Sequence, residues 1–448
     1  MHSLSRPDLH RLFSSAGQDE QGQASFAFVL TILVTFSLFA LGVDAGFWYV
    51  DHRIAQNQVE AAAMAPFLET DLYPGLPAGS DTAVQTVAKT WLTNNGVASP
   101  DTELAACNWV QNPRVFSSGG LGGPFDSVSV CIRRPSLILF SALANVAGVN
   151  VSAAATARAI SQPLPYAMMA MNEPPCSGKG GTFEVKGSQT EVRIEGGGAY
   201  ARSSCPGALR STGGATLTAT DGGINEVVDP GSATGGVWPW TTGDWRPDPY
   251  KDLTQPVPGP SCIPKEEVND PIPLEPGTYC QQLKINALVT LTPGGVYIFR
   301  RGFEVSPFGG MAGDDILLYS TCPTSPCNGA VPGTLTFAPG SKLNLSGVPG
   351  TASACKATPP TGCRDMLFWV DRTAAGGPAI EINNPSLIDL RGRIYALNSK
   401  FEIIGDATPP MTLNMSIVAG EIDVSGGRVT IPYIRSFAPT ETFISLVE

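Results

Sequence analysis

Between residues 21 and 43 the chain carries no charged side chain: QGQASFAFVLTILVTFSLFALGV. As a helix rising about 1.5 Å per residue, this run covers about 30 Å, the hydrocarbon thickness of a bilayer. A cleaved secretory signal has a shorter apolar region, about 7–15 residues. The expectation is therefore a retained single-pass anchor, which puts everything after it on one side of a membrane. The cysteines say which side. All ten follow the run: Cys107, Cys131, Cys176, Cys205, Cys262, Cys280, Cys322, Cys327, Cys355 and Cys363. Their number is even and no CxxC occurs, so disulfides are favoured over zinc or thioredoxin-type chemistry. Disulfides belong in an oxidising compartment. Nearest-neighbour pairing (107–131, 176–205, 262–280, 322–327, 355–363) is the default, although spacing alone does not fix connectivity.

The helical pattern continues past the bilayer through GVDAGFWYVDHRIAQNQVEAAAMAP to Pro66. Trp48 and Tyr49 stand where an interfacial aromatic belt belongs. The alanines at 61, 62, 63 and 65 serve helix propensity or close approach of a partner helix. The whole stretch resembles the N-terminal segment of TadG-like proteins of the Flp (tight adherence, Tad) pilus system. Val43, Asp44 and Gly46 match that family's VDxG motif, and residues 56–65 match its polar stretch ending in an alanine-rich helix. The resemblance implies a bacterial inner-membrane protein with a cytoplasmic N-terminus and a large periplasmic part, working with TadE-like membrane partners. TadE-type pseudopilins carry a glutamate five residues after the processed glycine. Counted from Gly22 that place holds Ala27, consistent with a permanent anchor. No DxSxS appears, so the metal-dependent adhesion site of some family members is not expected.

The remaining composition limits the outer part. Charged residues make up 15% of the chain, against about 25% in an ordinary soluble domain. There are 49 glycines and 39 prolines, yet hydrophobic content is 43%. That excludes wholesale disorder, and the lack of a three-residue glycine period excludes collagen. A formal net charge of −11 argues against nucleic acid as a partner. The organisation read from these signals is a cytoplasmic tail (1–20), a transmembrane helix and helical stalk (21–66), and a small α/β, pilin-like domain (67–165). A first β-rich segment (166–237), a proline-rich break (238–273) and a β-rich domain (274–448) follow. In the small domain a helix starts at Ser80, SVSVCIR forms a strand, a helix follows Pro135, and VNVSAAATARAI forms a second strand. In the break, Trp238, Trp240 and Trp245 favour packing over free motion. After residue 274, dense short strands and repeated turns (LEPG, LTPG, FAPG) suggest a parallel β-helix. A β-sandwich is the competing fold, because periodicity does not distinguish parallel from antiparallel pairing. The fold class is mainly β.

Chemistry is sparse. The only histidines are His2, His10 and His52, so the region after residue 52 has no Ser–His–Asp triad, Cys–His pair or histidine-ligated metal. Asp314-Asp315 superficially resembles the paired aspartates of polygalacturonase-type hydrolases, but those also use a histidine, and a solvated turn explains the pair. Asp371-Arg372 and Asp389 with Arg391 read as exposed pairs at strand ends, worth little each. Asp221 and Asp229 fit turn hydrogen bonding better than calcium. Asp44 is the most suggestive residue, because a carboxylate beside the membrane needs interfacial water or a partner. No catalytic, cofactor or metal site is expected. The functional expectation is a non-catalytic structural or assembly component of a Tad-type pilus or adherence system. The alternative is a membrane-tethered β-helix that binds or cleaves surface polysaccharide.

Overall fold

The computed structural model describes residues 7–68, 81–97, 115–117, 125–136, 150–172, 182–202, 208–220, 224–226, 240–242, 246–251, 253–347, 363–405 and 410–447. The chain is mainly β, with one long N-terminal helix and a large parallel sheet. It divides into two compact units, residues 1–160 with 443–448, and residues 161–442.

In the first unit, helix α1 runs unbroken over Pro7–Leu68. It starts earlier than the 21–66 segment read from sequence. Proline suits a first helical turn, and no breaker follows until Pro66. Its apolar stretch is exposed: Phe26, Phe28, Leu33, Phe36, Leu38, Phe39 and Leu41 are each more than half accessible. By length and hydropathy it is able to cross a membrane. Farther along, the exposed surface gives way to a buried stripe of Ala55, Val59, Ala62, Ala63 and Phe67. This stripe packs with Ala88 and Leu92 of helix α2 (Asp81–Asn94). It also packs on a sheet of β1 (Val115–Ser117), β2 (Phe125–Pro135) and β3 (Asn150–Pro163). β2 and β3 pair antiparallel, Val130 opposite Ala155, and alternate residues face the helix: Val128, Val130 and Ile132 from β2, Val151, Ala153, Ala155 and Ala157 from β3. Small side chains on both surfaces let helix and sheet approach closely, so the alanine run is core rather than mere helix propensity. α2 stops where expected, at Asn95-Gly96, with Gly96 at φ +89°. The helix expected after Pro135 lies outside the described residues. The fourth strand of this sheet is Thr440–Val447, beside β3. The whole second unit is thus inserted between two neighbouring strands of the first.

In the second unit the described pairings are all parallel, unlike an antiparallel sandwich. Three ladders run side by side. One inward column of the second ladder reads Leu283, Phe303, Leu335, Ile380, Phe401, Ile422, Phe183 and Leu209, each opposite the next and all buried. The neighbouring aromatics Tyr279, Phe299, Phe303, Phe337 and Phe368 follow one another at centroid distances of 4.9–5.9 Å. The turns LTPG and FAPG place Gly294 and Gly340 at φ +75° and +86°, a conformation that costs side-chain-bearing residues.

The order of levels does not follow the chain. Levels climb from 262–274 to 414–432, and the next level is 166–195, then 198–219. The first β-rich segment and the region after 274 therefore share one core. Its starting level carries Pro264, Pro271, Pro273 and Pro276 with mostly exposed side chains. Prolines blunt a sheet edge by withholding N–H groups. Cys262–Cys280 ties this level to the next, and Cys322–Cys327 closes a short loop. Cys131 and Cys363 are disulfide-bonded as well. Cys107, Cys176, Cys205 and Cys355 lie outside the described residues.

Candidate functional site

In the membrane-proximal helix the VDxG residues have distinct settings. Val43 is half-buried. Asp44 is only 7% exposed and is engaged by a neighbour. It shares a face with Asp51, which accepts a hydrogen bond from Ser136 Oγ at 2.6 Å, and with Ala55, Gln58 and Val59. It therefore lies on the helix face that, farther along, packs into the unit. Gly46 has open space around its Cα. Trp48 and Tyr49 are 44% and 58% exposed, as a belt requires, and Trp48 stacks on His52 at 5.8 Å.

In the second unit the most elaborate polar constellation lies where the proline-rich break crosses the first ladder. Strands of that ladder are apolar on both sides, as in YAMMA (Tyr166–Ala170) and MLFWV (Met366–Val370), where every residue is buried. One outward column runs Ile298, Tyr319, Trp369, Tyr395, Val418, Met169, Tyr200. Residues 246–260 form a strap over it. Tyr250 stacks edge-on against Tyr395 at 5.3 Å and packs into the same apolar cluster. The Arg246 amide donates to Tyr200 Oη at 2.8 Å, and its guanidinium pairs with Glu441. Tyr395 Oη donates to Asp248 Oδ2 at 2.7 Å and accepts from Arg372 Nε at 2.9 Å. The Arg372 guanidinium also donates to the carbonyls of Tyr250 and Lys251. Burial pushes the Tyr395 and Tyr250 hydroxyls up from their ordinary pKa and Tyr200 up to about 12, so all three stay protonated.

Asp371-Arg372 is consequently not the exposed pair expected from sequence. Asp371 is 1% exposed and accepts from Thr321 Oγ1 at 2.7 Å and from the Thr373 amide and hydroxyl at 2.9 and 2.7 Å. Burial raises its pKa, but those hydrogen bonds outweigh burial and hold it below the ordinary carboxylate value. Its neighbour Arg372 is the strap's main clasp. The sequence signal was available: an aromatic-rich break and a strand with no polar alternation both ask for a cover.

The other candidates stand apart from this seam. Asp314 and Asp315 are exposed at an irregularity in the strand Gly310–Ser320, Asp315 at φ +58°. Ser346 Oγ donates to Asp314 at 3.1 Å. Asp389 holds Arg391 at 2.9 and 3.0 Å, exposed as expected. On the second ladder Asp423 binds both Lys186 (2.9 Å) and Lys400 (2.7 Å). Among the described residues no cluster of His, Cys, Asp or Glu has metal-holding geometry. Asp221 and Asp229 lie outside those residues. No protein-family model matches the chain, and neither does any curated protein or solved structure.

Proposed function

We propose that the chain is a single-pass, membrane-anchored structural or assembly component of a Tad-type (Flp) pilus or adherence system, acting without catalysis. The observation that carries this reading is the double use of α1. Its first part is an exposed, apolar, bilayer-length surface. Its last part supplies the core stripe of an α/β unit on the far side. A helix that is at once anchor and core couples a membrane position rigidly to an outer domain, which suits assembly. The VDxG match at Val43, Asp44 and Gly46 points to the Tad system, with TadE-like membrane proteins as partners. The lack of histidine after residue 52 agrees with a scaffold. We read the three parallel ladders as a parallel β-helix, the small unit as pilin-like, and the compartment as the periplasm, with α1 in the bacterial inner membrane.

Deletion of the gene is expected to abolish Tad piliation and surface adherence, and Asp44→Ala to weaken both while leaving the protein in the membrane. Normal pili in the deletion strain would overturn the proposal. Labelling of single cysteines placed before and after α1 by a membrane-impermeant reagent checks the orientation.

A further inference from the structure

The strap does not lie flush along its whole length. On one side it is pinned by Arg372, whose amide also donates to Gln255 Oε1 at 3.2 Å. On the other it is pinned by the Gly259 amide donating to Thr278 Oγ1 at 2.9 Å and by Cys262–Cys280. Between these points it spans a groove of about 600 Å³, within the ordinary range for small-ligand sites, about 300–1,000 Å³.

The groove follows from the register. The outward column that carries Tyr319, Trp369 and Tyr395 under the tightly packed strap carries Ile298 and then Thr278 here. Smaller side chains leave room beneath the chain. Pro256, Pro258 and Pro260 keep the strap from sagging into it, because each fixes φ and lacks an N–H that needs a partner. The groove is therefore preformed, which lowers the ordering cost of binding.

Its chemistry is specific. Val296 and Ile298 make an aliphatic floor, Thr254, Gln255, Ser261 and Thr278 line the sides, and among the described residues no charged one lines it. Thr278 Oγ1 and Gln255 Oε1 accept from the backbone, so the Thr278 hydroxyl hydrogen and the Gln255 NH₂ remain to donate. Thr254 and Ser261 add two more hydroxyls. Such a set satisfies a ligand with many hydroxyls and a weakly apolar face, and the described lining offers an ionised ligand no opposite charge. We infer that this groove is a binding site for an uncharged glycan segment. The inference is independent of the pilus assignment.

The test is calorimetric titration of the full chain in lipid nanodiscs. The probes are uncharged hexose and N-acetylhexosamine trisaccharides, an acidic oligogalacturonide and a medium-chain fatty acid. Binding of an uncharged trisaccharide is expected, weakened about tenfold or more, some 1.4 kcal/mol, by Ser261→Trp, which fills the groove. Thr254→Trp is the second filling variant, and unchanged thermal unfolding shows which of the two is folded. No binding by either trisaccharide would overturn the inference. So would binding that both folded variants leave intact, or uptake of the fatty acid or the acidic oligosaccharide alone.

Discussion

Arg372 holds the strap through its two carbonyl contacts and Tyr395, a fork that only a guanidinium supplies. Arg372→Ala leaves buried acceptors unpaired and is expected to cost about 2–3 kcal/mol in denaturant unfolding. Arg372→Lys should recover little of that, since an ammonium cannot span the same three oxygens. Asp371, one residue earlier, gives a pH signature. Its folded pKa is depressed, so its contribution is present above the unfolded value, about 3.9, and is lost as pH falls through the folded value. Asp371→Asn should flatten the acid limb of the stability–pH profile below about pH 4. A variant profile parallel to the wild type would exclude this role.

Elements differ in how plainly the sequence announces them. α1, α2, β2 and β3 were legible because their signals are local: uninterrupted apolarity, an Asn-Gly stop, and strict alternation such as SVSVCIR. The parallel character of the second unit was suggested by repeated Pro-Gly turns, but pairing direction is a property of distant residues. Nor did spacing show that Phe183 stacks on Ile422, a contact between segments far apart in the chain. At the candidate site, Asp371 and Arg372 were misread because charge alone suggested exposure. Two expectations concern elements. Phe401→Ala removes one ring from the inward column and should cost about 3–5 kcal/mol, measured by calorimetry. Replacing Cys262 and Cys280 with serine opens a link of sequence separation 18 and should cost about 3 kcal/mol. In hydrogen exchange, that loss should fall first on residues 262–274.

At the scale of the whole molecule, the permuted order of levels makes a falsifiable statement. Lys251 is exposed in the strap, and tryptic cleavage there separates residues 166–242 from residues 253–432 in the chain but not in the stack, where 414–432 and 166–195 remain paired. The nicked protein should elute as one species and part only in denaturant. Spontaneous separation under native conditions would rule out the shared core.

The insertion of the second unit between β3 and Thr440–Val447 has a mechanical consequence. Both connections enter the second unit at one place, where the Leu164 amide donates to Pro439 O at 2.8 Å and Tyr433 Oη donates to Leu164 O at 3.0 Å. A pull on the second unit reaches α1 covalently through β3, while Thr440–Val447 adds a second attachment made only of hydrogen bonds to β3. A load along that path therefore has a strand to peel as well as a chain to stretch, and a cut just after β3 leaves the second unit held by strand pairing alone.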